Sequence, residues 1–487
     1  MKPLYSAQEW HRVDQDTLNF QHWKEWDLME VASASLFNEL RKYLPSSQPV
    51  RMVVGTGNNG GDGLAVARML WESHHPVEVW QVPTSGQPSE AWIENRRRFL
   101  GPFQEITDLT QFEESIEGQY VVEAILGIGT HRPVVGKLKE IIQCMNEKAS
   151  FRIALDLPAG LRADTPTLPL DGIFEAHVTL TCHQPKLSLL LSDYAEYVGE
   201  WVIAPIPVLD AQMTFPPKSQ MFWIDTIENL LPKRDRFGHK GTFGHALLLA
   251  GSEAMPGAAL LATKACLRTG AGKVTCASAP KVLDYLPLAV PEAIALVEES
   301  ITWQDVPKKF QAAAIGPGWT TSATRLPMLQ QVLEWPIPLV LDADALNLLA
   351  ENRTLIPQIP PQTILTPHPK EFERLIGHRW KNDFDKLVFL RQFSVTYQVI
   401  VCLKGANTCI ALPDGRLLFN STGNPGMGTA GSGDVLTGMI TSWLAQGVSP
   451  EKAAILGVFL HGEAGDRAAK LRSERAILAS DILESIR

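Results

Sequence analysis

Short apolar runs that stop abruptly on glycine or a polar residue recur along this chain. Between them lie stretches whose apolar positions fall three or four residues apart. Leu28, Val31/Ala32, Ser35/Leu36 and Leu40 carry the helical spacing over residues 27–42, and Val50-Arg51-Met52-Val53-Val54 is the first strand-like run. It stops on Gly55-Thr56-Gly57-Asn58-Asn59-Gly60-Gly61-Asp62-Gly63, after which residues 64–70 read as a helix. Strand, glycine loop and helix predict the first turn of a doubly wound α/β unit, and Asn58, Asn59 and Asp62 add side chains able to bind hydroxyls, an amide or a cation. Residues 77–82, 120–126 and 151–156 are read as further strands. The last two close on Gly127-Ile128-Gly129-Thr130 and on Leu157-Pro158-Ala159-Gly160, with Glu123 and Asp156 near their carboxyl ends. Open α/β sheets bind ligands at that edge; Asp156 capping a turn before Pro158 is the structural alternative.

The periodicity fades over residues 204–220, where Pro205, Pro207, Pro216 and Pro217 accumulate. The expected division is therefore a domain over 1–215, a linker over 216–228 and a second domain over 229–487. In that domain five runs, 246–250, 312–315, 338–341, 363–366 and 399–403, each end in chemistry: Gly251-Ser252, Gly316-Pro317-Gly318, Asp342-Ala343-Asp344, Pro367-His368-Pro369 and Lys404-Gly405-Ala406-Asn407-Thr408. A merely structural sheet does not need such residues at every strand end. Near the C-terminus, glycines are spaced from Gly423 to Gly433, Asp434 follows, and 435–440 turns helical. Glycines let backbone N–H groups approach a ligand, and a helix start favours anions. A carboxylate at that point suits removal of a proton from a hydroxyl about to attack phosphorus; an N-capping aspartate is the plain alternative.

At 487 residues, with 45% hydrophobic and 20% charged positions, the chain is long enough for two domains with full cores. A net charge of −9 argues against nucleic acid as the partner. Six scattered cysteines without a Cys-x-x-Cys pair read as buried thiols in a reducing compartment. The N-terminal residues lack a signal-peptide core, and no run approaches the ~20 apolar residues of a membrane span. The expected setting is the cytoplasm, with small-molecule partners, no membrane, and a homo-oligomeric assembly.

The second half resembles the ADP/ATP-dependent NAD(P)H-hydrate dehydratase family, of ribokinase-like fold. It does so through His239-Lys240-Gly241-Thr242, Met255-Pro256-Gly257-Ala258, Gly316-Pro317-Gly318, the run from Leu341 to Asn347, Thr366-Pro367-His368-Pro369, Leu403-Lys404-Gly405-Ala406 and the Gly423–Gly438 loop. The first half is similar to the NAD(P)H-hydrate epimerases, of Rossmann-like fold, through residues 57–63, 124–129 and 156–160. Fused in this order, the halves resemble the bifunctional NAD(P)H-hydrate repair enzymes. The resemblance implies epimerisation of R and S hydrates in the first half. In the second it implies dehydration of the S hydrate to NADH or NADPH, driven by ADP (or ATP) with Mg²⁺ and releasing AMP and phosphate.

By the same resemblance Asp434 and Asp156 are catalytic. Asn58, Asn59, Gly60, Gly61, Asp62, Gly127, Ile128, Gly129, Thr130 and Asp156 bind hydrate in the first half, and Ala258, Gly318, His368 and Asp434 in the second. Lys404, Gly405, Ala406, Asn407, Thr408 and Gly433 hold the nucleotide, and Asn59, Glu123 and Ala159 hold K⁺. Asp342 and Asp344 are either part of a Mg²⁺ site or helix-capping acids. Five positions depart from the family pattern: Glu123 for Asp, Ala159 for Ser, His177 for an acid, and Trp319-Thr320 for Leu-Gly. Ala159 removes a side-chain oxygen from a cation site that wants oxygen ligands. A ribokinase-like kinase for a small alcohol, or a nucleotide-binding scaffold, are the competing readings.

Overall fold

A computed structural model describes residues 1–45, 48–83, 87–129, 132–167 and 172–487. The chain divides into two compact units, Pro3–Ser219 and a second made of Met1–Lys2 with Gln220–Arg487. The strands are β1 (Lys2–Pro3), β2 (Val50–Val54), β3 (Val77–Gln81), β4 (Phe103–Glu105), β5 (Tyr120–Ala124), β6 (Phe151–Leu155), β7 (Val178–Cys182), β8 (Glu200–Ala204), β9 (Met221–Ile224), β10 (His245–Leu249), β11 (Lys273–Ser278), β12 (Ile294–Val297), β13 (Ala312–Ile315), β14 (Leu339–Leu341), β15 (Ile364–Leu365), β16 (Ile400–Leu403), β17 (Cys409–Ala411) and β18 (Leu417–Asn420).

The first unit holds a seven-stranded sheet in the order β4-β3-β2-β5-β6-β7-β8, every pair parallel. The chain winds outward from β2 to β4, then returns to β5 and winds the other way. The carboxyl ends of β2 and β5 therefore flank a topological switch point, the crevice where such sheets take ligands. Parallel sheets are covered on both faces, so their strands read as apolar runs. Val50, Met52 and Val54 accordingly pack against Leu64, Val66, Ala67 and Leu70 of the helix Asn58–Glu72.

That helix begins six residues earlier than the glycine-rich sequence suggested: Asn58, Asn59, Gly60, Gly61 and Asp62 are its first turns, not a loop. Their glycines serve closeness. A Cβ on Gly60 would lie 2.0 Å from the Gly55 carbonyl oxygen.

The second unit holds an eleven-stranded sheet in the order β1-β9-β18-β17-β16-β15-β14-β13-β10-β11-β12. From β16 through β15, β14, β13 and β10 to β12 the pairs are parallel, while β16-β17 and β17-β18 are antiparallel. The five runs singled out in the sequence are thus five adjacent strands, and parallel pairing brings all five chemical ends to one edge. The switch point lies between β10 and β13.

Two helices, Pro256–Arg268 and Ser432–Ala445, cover this region and approach closely: a Cβ on Gly438 would meet the Ala262 carbonyl oxygen at 2.2 Å. The expected linker over 216–228 needs correction, because Met221–Ile224 is β9, paired in parallel with β18. Three exposed prolines (Pro205, Pro207 and Pro216) and the lost periodicity hid a four-residue strand.

Candidate active sites

In the second unit the helix Ser432–Ala445 is capped by Gly431 in the left-handed conformation (φ 89°), and Asp434 is its third residue. Asp434 is therefore not the cap. An acid in the first turn is favoured by the helix dipole. Ser432 donates its N–H to the Thr429 carbonyl at 3.3 Å, and Val435 donates to Gly431 at 3.1 Å. This leaves the Gly433 and Asp434 amides as the open donors of the helix start. The Ser432 amide is therefore not free for an anion at this helix start.

Opposite that turn stand the ends of β14 and β16. Lys404 Nζ lies 3.0 Å from Asp342 Oδ1, and Thr437 Oγ1 donates to Asp342 Oδ2 at 2.7 Å. Asp342 occupies a helix N-cap position without making a capping bond, because both its oxygens are spent on Lys404 and Thr437. Asp344 accepts the Thr320 N–H at 2.7 Å and the Asn347 side-chain amide at 3.2 Å. Burial first, then the neighbouring Asp342 and Asp344, pushes the Asp434 carboxyl up to about 7, with Lys404 pulling the other way. Burial works to lower the Lys404 ammonium, but Asp342, Glu371 and Asp434 together carry it above its ordinary value. The result is one firm cation beside one carboxyl poised near neutrality, the condition in which a carboxylate works well as a base.

The remaining expected residues of this half gather at the same sheet edge. A Cβ on Gly433 would stand 3.3 Å from Lys404 Nζ, so glycine keeps that approach clear. The turn after β16 carries Gly405, Ala406, Asn407 and Thr408, with the Thr408 hydroxyl donating to the Gly405 carbonyl. Gly318 (φ 60°) abuts Ala258, whose Cβ a Gly318 Cβ would meet at 2.9 Å, so these two meet at the switch point. His368 caps the helix Pro369–Ile376: its Nδ1 accepts the N–H groups of Lys370 and Glu371, and its Nε2 lies 3.6 Å from Glu371 Oε1.

In the first unit a cavity of about 770 Å³ opens at the β2/β5 switch point. Asn58, Asn59, Asp62, Gly127, Ile128, Gly129 and Asp156 all line it. Gly60 and Gly61 do not. They are packed behind the wall, and the Gly61 N–H is spent on the Gly57 carbonyl. Thr130 lies outside the described residues.

Asp156 has φ 70°, accepts the Cys182 N–H at 3.3 Å and pairs with Lys186 Nζ at 2.5 Å. Its side chain is thus an anchored anion rather than a turn cap. Asp62 accepts the Ser33 hydroxyl at 3.2 Å, and burial raises it well above the ordinary carboxylate range. Lys186 and Asp14, which also line the cavity, were not anticipated. Lys186 sits thirty residues beyond Asp156 and meets it only through the β6-β7 pairing. Asp14 belongs to the helix Ala7–Gln21, whose buried Trp10, Val13, Thr17 and Leu18 were the signal available.

The expected K⁺ ligands do not fit that ion. Glu123 is fully buried; its Oε1 accepts the Ile125 N–H at 2.5 Å and its Oε2 the Ala159 N–H at 3.0 Å. Burial pushes Glu123 up to about 8 against those bonds. Ala159 contributes no side-chain oxygen and turns its amide toward Glu123. Only Asn59, with both amide atoms buried and unpartnered, offers a free oxygen. The longer acid reaches into the space and satisfies itself on backbone, which removes the assignment of K⁺ to Asn59, Glu123 and Ala159. His177, which departs from the family pattern, accepts the Arg152 N–H through Nδ1 and stacks on Phe151, a structural role. Among the described residues no group of three His, Cys, Asp or Glu side chains is arranged to hold a metal. This fits Mg²⁺ in the second unit if it is carried mainly by nucleotide phosphates and water, with Asp342 and Asp344 at the site edge.

Fold and sites together define a two-unit α/β enzyme: a carboxyl and lysine at a helix start in one unit, a carboxylate–lysine cavity in the other. Residues 246–487 match the NAD(P)H-hydrate dehydratase family, and residues 25–188 match the YjeF-related protein N-terminus. A bifunctional NAD(P)H-hydrate repair enzyme of Moorella thermoacetica is 34% identical, over 94% of this chain and 91% of its own length. That of Thermosynechococcus vestitus is 35% identical, over 90% and 87%. A solved ADP/ATP-dependent NAD(P)H-hydrate dehydratase from Bacillus subtilis, co-crystallised with ATP/Mg²⁺, is 34% identical over 54% of this chain and 95% of its own, with a TM-score of 0.48. The chain belongs to the bifunctional NAD(P)H-hydrate repair enzymes.

Proposed function

We propose that the chain restores hydrated nicotinamide nucleotides in two steps, one in each half. Residues 229–487 dehydrate the S hydrate of NADH or NADPH at the expense of ADP, releasing AMP and phosphate. Residues 1–215 interconvert the R and S hydrates. The observation that carries the reading is Asp434, a half-buried carboxyl within the first turn of a helix whose open amides and neighbouring Lys404 suit a phosphoryl group.

Hydroxide is a poor leaving group and phosphate a good one. An enamine takes its proton at the β-carbon, so the added hydroxyl sits on the carbon beside the ring nitrogen. Asp434 takes that hydroxyl's proton, and the oxygen attacks the terminal phosphorus as the bond to the nucleotide's leaving oxygen breaks. The Gly433 and Asp434 amides and Lys404 meet the charge that develops. The carbon–oxygen bond then breaks with the ring nitrogen's lone pair forming C=N, and loss of the neighbouring proton restores the double bond. Mg²⁺ bound with the nucleotide would neutralise phosphate charge, carried mainly by phosphate and water with Asp342 and Asp344 at the site edge. Ala258, Gly318 and His368 are assigned to the hydrate, and Gly405, Ala406, Asn407 and Thr408 to the nucleotide. No role is given to K⁺.

A small-alcohol kinase shares the Asp434 chemistry, but the fused YjeF-related half favours repair. A cytoplasmic setting agrees with six free thiols and with the absence, among the described residues, of a helix long and apolar enough to cross a membrane. A homo-oligomer remains the expected assembly. The test is pure R hydrate with ADP: NADH should appear with the full chain, and the Asp434→Asn protein should stop at S hydrate. Formation of a stable phosphorylated hydrate by the full chain would favour the kinase.

A further inference from the structure

The cavity of the first unit contains a carboxyl that neither the sequence motifs nor the family match accounts for. Asp14 precedes the matched residues 25–188 and projects from the helix Ala7–Gln21. Trp10, Asp14 and Leu18 follow one another at intervals of four, and all three line the cavity. Asp14 thus holds a place on the inward face of an amphipathic helix where an apolar side chain would ordinarily stand. It makes no hydrogen bond among the described residues. An unpaired carboxyl facing inward costs stability, so its presence calls for a use.

Its surroundings suggest which use. Lys186 and Asp156, joined at 2.5 Å, face it across the cavity from the strand ends, Asp62 from the helix Asn58–Glu72, and Glu25 from the following helix. His11 lies on its own helix and His183 beyond β7. Lys186 is committed to Asp156, so among the described residues no cation pairs with Asp14 directly. Burial, with Asp156 and Glu25 adding to it and Lys186 opposing, pushes the Asp14 carboxyl up to about 7. A carboxyl so placed can hold a proton near neutral pH.

Resting on the epimerase reading of this half, we propose that Asp14 is the proton donor of epimerisation. The Asp14 carboxyl gives its proton to the hydrate's hydroxyl oxygen. The carbon–oxygen bond breaks, the ring nitrogen's lone pair forms C=N, and water departs. Water then adds to the opposite face and loses one proton to the Asp156 carboxylate. Solvent returns that proton to Asp14, so neither protons nor electrons are consumed.

The experiment follows R-to-S conversion by the full chain without ADP, by chromatography, against the spontaneous rate. Asp14→Asn should lose about 100-fold or more of the catalysed rate, the value of a positioned acid. Its turnover of S hydrate with ADP should be unchanged, which reports a folded protein. In the wild type the rate should fall as pH rises through about 7. Asp14→Glu should recover rate together with that fall, which a packing role would not produce. An Asp14→Asn protein that epimerises at the wild-type rate with an unaltered pH profile overturns this proposal alone. A wild-type chain that does not epimerise at all overturns the epimerase reading and this proposal with it.

Discussion

Replacing Asp434 by Asn should abolish repair and at the same time stabilise the protein, in a pH-dependent way. The carboxyl titrates at 3.8 in its ordinary state and at about 7 in the fold, because burial and the adjacent Asp342 and Asp344 penalise its charge. Between those values the folded chain binds more protons than the unfolded chain, so stability falls as pH rises. At about 1.36 kcal/mol for each pH unit, the cost is about 1.6 kcal/mol at pH 5 and about 4 kcal/mol above pH 7. Asparagine cannot ionise, so the mutant's advantage should be small below pH 4, grow through the window and level off above pH 7. For a unit of this size each kcal/mol moves the melting midpoint by about 2–4 °C. The advantage of Asp434→Asn at pH 8 should then exceed that at pH 5 by about 5 °C or more, read by calorimetry on nucleotide-free protein. The same protein should lose about 100-fold or more in turnover of the S hydrate with ADP. A midpoint difference that does not change with pH, or a turnover within a few-fold of wild type, would refute the reasoning.

Further outcomes follow from the geometry. Lys404→Met leaves Asp342 buried with Thr437 alone, and should lower stability by about 3 kcal/mol or more and weaken the ADP-induced rise in melting midpoint. Gly433→Ala places a methyl about 3.3 Å from Lys404 Nζ and should raise KM for ADP while leaving the ligand-free midpoint nearly unchanged. K⁺ should give neither the epimerisation rate nor the melting midpoint anything that Na⁺ at equal ionic strength does not; a K⁺-specific rise in either would restore the cation to Asn59, Glu123 and Ala159.

The strand ends of the second unit were legible because each couples a short apolar run to a sharp polar stop, and parallel pairing needs nothing more to align them. Asp342, Lys404, His368 and Asp434 were therefore readable as one site before any contact was known. Partners set by tertiary packing were not readable in the same way. Lys186 reaches Asp156 across neighbouring strands, and Thr437 reaches Asp342 from a helix ninety-five residues away. Asp14 sits in a helix whose apolar face is interrupted by that very acid, which weakens the periodicity used to find it. The Asn58–Asp62 segment looked like a loop because glycine marks loops, whereas Gly60 and Gly63 let the helix settle against Gly55, Val54 and Ala124. Glu123 and Ala159 were visible as departures in the sequence, but only the bonds from Ile125 and Ala159 reveal that the acid satisfies itself on backbone.

The central claim is that the second unit uses phosphoryl transfer to expel water. Pure S hydrate of NADH, ADP and Mg²⁺ should be given to the full chain, and NADH absorbance, AMP and inorganic phosphate followed together. The account predicts one NADH, one AMP and one phosphate for each hydrate consumed, and none of the three with Asp434→Asn. Consumption of nucleotide with a phosphorylated hydrate accumulating and no NADH absorbance would contradict it.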